Sequence, residues 1–238
     1  MSKRVIILSG GVGTRLKPYT ISLPKPLVPV GDYPIMEIII RQLAHYGFDK
    51  ITLTVGHWGD IIKAYFGDGK KWNIKIDYSL EEKPMNTMGP LTLINDLPEN
   101  FLVMNGDVLT NLNFDHFFDY HIQQNNLFTI SGYKRTIHSE FGVLEVNKKN
   151  YLDGFSEKPI INYVVSMGVY MVNKSILNYI PKNEAFGFDQ LMLRLIEKNK
   201  PAGVKMFNRY WQDIGRPDDY EIAIRDFIND PSFFLPDE

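Results

Sequence analysis

The sequence contains no cysteine. That excludes a disulfide framework, thiolate-bound zinc and a thiol nucleophile. It also lacks a basic tract longer than the pairs Lys70-Lys71 and Lys148-Lys149, and its formal net charge is −2. A nucleic-acid polymer is therefore not an expected partner. Long apolar runs are missing too. Met1-Ser2-Lys3-Arg4 leads into only four apolar residues, Val5-Ile6-Ile7-Leu8, too few for a signal peptide or a membrane span. No membrane partner is expected, and the cytoplasm is the default compartment. The histidines at 45, 57, 116, 121 and 138 have no metal-ligand spacing. His57 with Trp58 reads as a surface turn rather than part of a pocket.

What remains is an ordinary globular composition. Of 238 residues, 44% are hydrophobic and 23% charged, enough to bury a sizeable core in one domain. Short apolar runs at 5–8, 51–55, 74–78, 101–104 and 127–131 read as strands. Amphipathic stretches at 35–46, 59–66, 88–94 and 114–123 read as helices between them. This rhythm implies a Rossmann-like α/β fold, a mostly parallel sheet flanked by helices. After Tyr133 the pattern changes, with strands expected at 142–146, 151–155 and 164–172. Helices are expected at 173–179, 189–197 and 218–227, with a strand at 204–207 and a short tail at 231–238. The expectation is a single domain over 1–238 with an antiparallel insertion in its second half.

The first strand runs into Ser9-Gly10-Gly11-Val12-Gly13-Thr14-Arg15-Leu16. Three glycines permit positive φ and let backbone N–H groups converge on an anion. Thr14 and Arg15 add a hydroxyl and a guanidinium. The Gly-Lys-Ser/Thr ending of a Walker loop is absent, and Leu16 stands where the dinucleotide fingerprint needs its third glycine. Further on, Pro24-Lys25-Pro26 holds a lysine between two residues of fixed φ. A lysine so restricted suits a shared phosphate target with Arg15.

Two aspartates stand out. Asn105-Gly106-Asp107 follows the strand at 101–104, at the sheet edge where open α/β folds bind ligands. Asp213, in Tyr210-Trp211-Gln212-Asp213-Ile214-Gly215-Arg216-Pro217, has apolar neighbours and should need a cation. That cation is either Arg216 or Mg²⁺, which takes one or two carboxylates together with substrate phosphates.

These segments resemble the sugar-1-phosphate nucleotidylyltransferases. Gly10 to Leu16, then Pro18, Thr20, Pro24-Lys25-Pro26 and Pro29-Val30-Gly31, follow that family's signature in order and spacing. The Asn-Gly-Asp strand end and Trp-x-Asp-Ile-Gly-Arg-Pro resemble its two metal aspartates. The resemblance implies transfer of a nucleotidyl group from a nucleoside triphosphate to a sugar 1-phosphate, with Mg²⁺ as cofactor. It gives residues 1–132 to the nucleotide and 133–238, including the antiparallel insertion, to the sugar phosphate and a C-terminal helix. Arg15, Lys25, Asp107, Lys158 and Asp213 become the catalytic candidates, with Asp107 and Asp213 on the metal. Leu8, Ser9, Gly10, Gly11, Gly13, Thr14, Arg15, Lys25, Glu81, Gly89, Asn105 and Gly106 become the nucleotide-binding set.

On the sugar side, Glu157-Lys158-Pro159 resembles the family's Glu-Lys-Pro motif, glutamate to sugar hydroxyls and lysine to phosphate. Ser166 and Gly168 complete that set, Ser166 standing where the family more often has asparagine. Glu81, in Glu81-Glu82-Lys83-Pro84-Met85-Asn86-Thr87-Met88-Gly89, falls where the family reads the base. A carboxylate only accepts hydrogen bonds, and guanine offers adjacent N1–H and N2–H donors, which favours GTP. Asn86 and Met88 replace a glycine and an alanine there.

Other readings stay open: a cytidylyl- or uridylyltransferase acting on another phosphate such as phosphocholine, and a non-catalytic nucleotide-sugar sensor. A nicotinamide-dependent dehydrogenase is disfavoured by the missing third glycine. The motifs fix no oligomeric state, and a homo-oligomer is compatible with them. The residues after Asp213 are too few for an appended left-handed β-helix, so acetyltransferase activity is not expected.

Overall fold

The structure, a computed structural model, describes residues 3–235. The first two residues and the last three of the 231–238 tail lie outside them. In chain order the regular elements are β1 (Arg4–Leu8), β2 (Pro29–Val30), β3 (Tyr33–Pro34), α1 (Ile35–His45), β4 (Lys50–Val55), α2 (Gly59–Phe66), β5 (Lys75–Leu80), β6 (Asn100–Asn105), β7 (Val108–Thr110) and α3 (Phe114–Gln124). The second half adds β8 (Phe128–His138), β9 (Val143–Val146), β10 (Leu152–Ser156), β11 (Ile160–Asn173), α4 (Phe188–Glu197), β12 (Gly203–Phe207), β13 (Trp211–Asp213) and α5 (Pro217–Asn229).

Seven strands form the central sheet in the order β12-β8-β11-β6-β1-β4-β5. All pairings are parallel except the two made by β11, which runs against both β6 and β8. The expected fold class, a mostly parallel α/β sheet flanked by helices, is the one observed. From β1 the chain first adds β4 and β5 on one side, then returns to place β6 on the other. The crevice between the carboxyl ends of β1 and β6 is thus a topological switch point, where such sheets bind ligands.

Side-chain alternation along β1 supplies both faces of the core. Val5 and Ile7 point into a cluster with Ile35, Ile38 and Ile39 of α1, Phe114 and Phe117 of α3, and Phe227 of α5. Ile6 points the other way, towards Phe101, Val103, Phe128 and Leu191 and Leu195 of α4. Each such side chain, fully buried, contributes about 1.5–3 kcal/mol.

Two segments expected as α-helices, 88–94 and 173–179, are instead short 3₁₀ turns, Gly89–Leu93 and Lys174–Tyr179. In the first, Met88 and Gly89 donate to the carbonyl of Phe186, at 2.9 and 3.0 Å, so these amides tie the segment to a distant loop. In the second, the Asn173 side chain accepts from Ser175 N, and Ile180 N bonds Leu177 O at 3.2 Å in an i→i+3 pattern. The strands expected at 127–131 and 164–172 are parts of the longer β8 and β11. Their extra lengths form an exposed ribbon with little burial to leave a periodic signal.

Candidate active site

The glycine loop leaves β1 at the switch point. Ser9 N donates to Thr54 O at 3.1 Å, anchoring the loop's first residue to β4. Gly13 takes a left-handed conformation (φ 69°), and its carbonyl accepts from the buried Thr20 hydroxyl at 2.7 Å. Thr14–Leu16 then form a single 3₁₀ turn, with Leu16 driven into the core and Arg15 left exposed. Lys25 opens another such turn, with Pro24 before it and Pro26 after it.

The loop encloses a cavity of about 190 Å³, lined by Leu8, Ser9, Gly11, Gly13, Thr14, Arg15, Lys25, Pro26, Gly106, Asp107 and Gly215. A larger open hollow, about 1070 Å³, lies over β5 and the 82–85 loop and is lined by none of Arg15, Lys25, Asp107 or Asp213. The smaller cavity is the one that gathers Arg15, Lys25 and Asp107.

Asp107 follows β6 because Gly106 can pass between Leu8 and Met36. A Cβ on Gly106 would lie 3.0 Å from Met36 Cε and 3.2 Å from Leu8 O. Its Oδ2 is paired with the Lys25 ammonium, while Oδ1 is buried with no hydrogen-bond partner. Asp213 is carried to the same place by a short ladder that the sequence does not advertise. β13 pairs antiparallel with β7, Asp213 opposite Val108, and Ile214 N donates to Asp107 O at 2.9 Å.

Burial, and then the negative charge of Asp107, push the Asp213 carboxyl above its ordinary range, with Lys25 and Arg15 opposing them. Those two cations answer the Asp213 charge, whereas Arg216, the alternative read from sequence, is exposed. The Gly215 backbone packs beside Asp213 Oδ2, and Arg15 Nη1 lies 3.7 Å from where a Cβ on Gly215 would stand.

An orphaned carboxylate oxygen beside a second carboxylate of raised pKa fits a hard divalent cation. Among the described residues, no group of three or more His, Cys, Asp or Glu side chains is gathered. Two carboxylates completed by substrate phosphates and water are what Mg²⁺ requires.

Glu81 lies at the far end of the loop. Its N–H donates to Val55 O at 2.8 Å, extending the β4–β5 ladder past β5. Its side chain packs against Gly10 so closely that a Cβ there would collide with Oε1, while Oε2 accepts from Met85 N at 3.3 Å. Burial raises the Glu81 carboxyl pKa. Gly89 is pinned against residues 184–186, a Cβ there meeting Glu184 O at 2.6 Å.

The sugar-side candidates divide. Gly168 (φ 76°) packs on Asn105, with a Cβ 2.6 Å from Asn105 Nδ2, and Ser166 Oγ donates to Tyr170 Oη at 3.1 Å and accepts from Gly168 N at 3.2 Å. Gly168, and Ser166 bonded to it, thus adjoin the strand end that leads to Asp107. Glu157 and Lys158 do not join them: both are exposed on the outlying ribbon, and neither lines the cavity. His57 is exposed, its ring 5.1 Å from that of Trp58. The sequence shows Thr20 and Gly215 only as motif positions and gives no sign of Thr54, whose carbonyl holds the distant Ser9 amide.

Among the described residues no helix is long and apolar enough to cross a membrane. The chain matches the nucleotidyl transferase family model over residues 4–229. It is 32% identical over 229 residues to the mannose-1-phosphate guanyltransferase of Aspergillus oryzae, covering 91% of this chain and 62% of that protein. It is 35% identical over 234 residues to the bifunctional protein GlmU of Methanococcus maripaludis, covering 94% of this chain and 54% of that one. The chain thus spans less than two thirds of the length of these curated relatives. The crystal structure of HddC from Yersinia pseudotuberculosis superposes with a TM-score of 0.73 at 26% identity, over 94% of this chain and 99% of that one. HddC was also solved in complex with GMP-PN (TM-score 0.70, 25% identity, covering 94% of this chain and 99% of that one). A glycine loop, a lysine fixed between prolines and two converging aspartates at a switch point thus accompany a family match along almost the whole chain, which belongs to the nucleotidyl transferase family.

Proposed function

We propose that this chain transfers a guanylyl group from GTP to a sugar 1-phosphate, with Mg²⁺ as cofactor. The observation that carries the reading is the convergence of Asp107 and Asp213 beside Lys25 and Arg15 at the mouth of the glycine loop. The guanine preference rests on the Glu81 carboxylate, an acceptor facing the loop. The guanyltransferase names of the relatives agree with it. Mannose 1-phosphate is the first acceptor to try.

In the reaction, a phosphate oxygen of the sugar 1-phosphate attacks the α-phosphorus of GTP. The bond from that phosphorus to the bridging α–β oxygen breaks, and pyrophosphate leaves with the electron pair. The nucleophile is already anionic, so no general base is needed. Catalysis is then placement and charge neutralisation. The backbone N–H groups of Gly10 to Thr14 cradle the triphosphate, Arg15 and Lys25 answer the charge that builds on pyrophosphate, and Lys158 meets the incoming phosphate. Asp107 and Asp213 would hold the Mg²⁺, which when bound supplies positive charge to the phosphates of both substrates.

The test is pyrophosphate release by purified protein across nucleoside triphosphates and sugar 1-phosphates, with and without Mg²⁺. Release that requires GTP, one sugar 1-phosphate and the metal together is the expected result. Silence across the matrix from folded protein would overturn the reading.

A further inference from the structure

Lys25 and Asp213 come from opposite ends of the chain, and α5 touches the segments of both. On the Asp213 side, Gln212 Nε2 donates to Asp219 Oδ1 at 2.9 Å, tying β13 to the first turn of α5. Tyr220 N donates to Arg216 O at 3.0 Å, so Tyr220 stands one turn beyond the segment that carries Asp213 and Gly215.

On the Lys25 side, Val28 N closes the Lys25 turn by donating to Lys25 O at 3.1 Å. The Val28 carbonyl in turn accepts from Ile35 N of α1 at 3.0 Å. The next carbonyl, that of Pro29, lies on a residue paired with Pro34, which has no N–H to offer. Its donor is the Tyr220 hydroxyl at 2.5 Å, from 191 positions away in sequence. Tyr220 is 4% exposed, and its ring meets that of Tyr19 edge-on, with centroids 4.6 Å apart. Two turns along α5, Phe227 lies against Gly31 (φ 60°), where a Cβ would come within 2.8 Å of Phe227 Cδ1. The Lys25 segment is thus clamped between α1 and α5. A phenylalanine at 220 would fill the same space, whereas the hydroxyl fixes where the Pro29 carbonyl sits.

We infer that Tyr220 is a positioning residue, its hydrogen bond to the Pro29 carbonyl setting the Lys25 loop against the segment that carries Asp213. This inference rests on the proposed reading of Lys25 and Asp213. Lys25 pairs with Asp107, and Ile214 N brings the Asp213 segment to Asp107 O. The Lys25 ammonium has to meet the departing pyrophosphate without leaving the two carboxylates. With the Tyr220 hydroxyl removed, α1 still holds Val28, but the loop can shift on α5, and Lys25 must be ordered as the transition state forms. That cost falls on kcat and not on binding of the sugar 1-phosphate.

The experiment is a double-mutant cycle on the parent, Tyr220→Phe, Lys25→Ala and the double variant. It is read as pyrophosphate release at saturating GTP, sugar 1-phosphate and Mg²⁺. Tyr220→Phe keeps the ring and its contact with Tyr19. It should lower kcat about fivefold, the worth of one hydrogen bond, with KM for the sugar 1-phosphate unchanged. In the Lys25→Ala background the same substitution should change kcat by less than about twofold, because Tyr220 acts through that lysine. Where Lys25→Ala turns over too slowly to read, the dissociation constant of inorganic pyrophosphate with Mg²⁺ gives the same cycle. Asp226→Ala is the control for helix packing, since Asp226 Oδ2 accepts from the Tyr210 hydroxyl at 3.0 Å, farther along α5. It should lower the thermal midpoint and leave kcat within about twofold of the parent.

A parent-like kcat in Tyr220→Phe would overturn the inference. An equal loss in both backgrounds would also overturn it, because Tyr220 would then act on the fold and not through Lys25. So would a loss of kcat in Asp226→Ala as large as that in Tyr220→Phe. Parent turnover in Lys25→Ala would remove Lys25 from the centre, and with it the reading on which the role of Tyr220 rests.

Discussion

The crevice between β1 and β6 and the ribbon at 134–165 are built on opposite plans. In the crevice the Lys25 and Asp107 side chains are only 14% and 17% exposed, the glycine loop is tied to β4 through Ser9 N, and its Gly13 carbonyl is held by the Thr20 hydroxyl. On the ribbon Glu157 and Lys158 are exposed, along with large apolar side chains such as Phe141 at 77% and Tyr151 at 70%. Groups held in place before a ligand arrives cost little to use, whereas exposed side chains must be ordered on binding. On the proposed reading, the Lys25–Asp107 part of the triphosphate end is held in place by the fold, whereas the acceptor end must be ordered by its substrate.

The largest expected effect lies in the crevice. Replacing Asp107 with alanine should cut kcat at least about a thousandfold, read as pyrophosphate release, while GTP binding persists. Turnover within tenfold of the parent would remove Asp107 from the centre. On the ribbon, Lys158→Ala should raise KM for the sugar 1-phosphate about tenfold or more, with KM for GTP held. Equal changes in both constants would mean that the two ends are not separate.

Gly168 is where ribbon and crevice meet. Gly168→Ala puts a Cβ on a residue at φ 76° and against Asn105, which should cost about 1–3 kcal/mol. Thermal unfolding would show it as a lower midpoint, and a parent-like midpoint would mean that the contact relaxes freely.

The smallest effect is a pH signature. Because burial and the Asp107 charge raise the Asp213 carboxyl, the folded chain holds that proton more tightly than the unfolded one. Stability contributed by this group is present at low pH and is lost as pH rises through the folded value. A divalent cation should restore it, raising the midpoint by a few degrees near pH 7.5 and hardly at all near pH 4.5. The same increment in Asp213→Asn would contradict that origin.

Much of this was legible in residue order. Alternating apolar and amphipathic stretches gave the sheet its strands, because burial on both faces leaves continuous apolar runs such as Val5 to Leu8. The glycine loop and the Asn-Gly-Asp turn showed themselves because special backbone geometry restricts residue type. What brings Asp213 to Asp107 did not, since a three-residue pairing of β13 with β7 has no periodicity to detect. The 3₁₀ turns at 89–93 and 174–179 have the apolar spacing of a helix, but the first is tied by Met88 and Gly89 amides to the distant Phe186 carbonyl and the second closes at i→i+3, neither of which the spacing shows.

The central claim is direct displacement at the α-phosphorus within a preformed crevice, with no covalent enzyme intermediate. The stereochemical course with a chiral α-thio analogue of GTP tests it most directly. The account predicts inversion at phosphorus, as a single in-line attack requires. Retention would mean two displacements and a nucleotidylated side chain, and would contradict it.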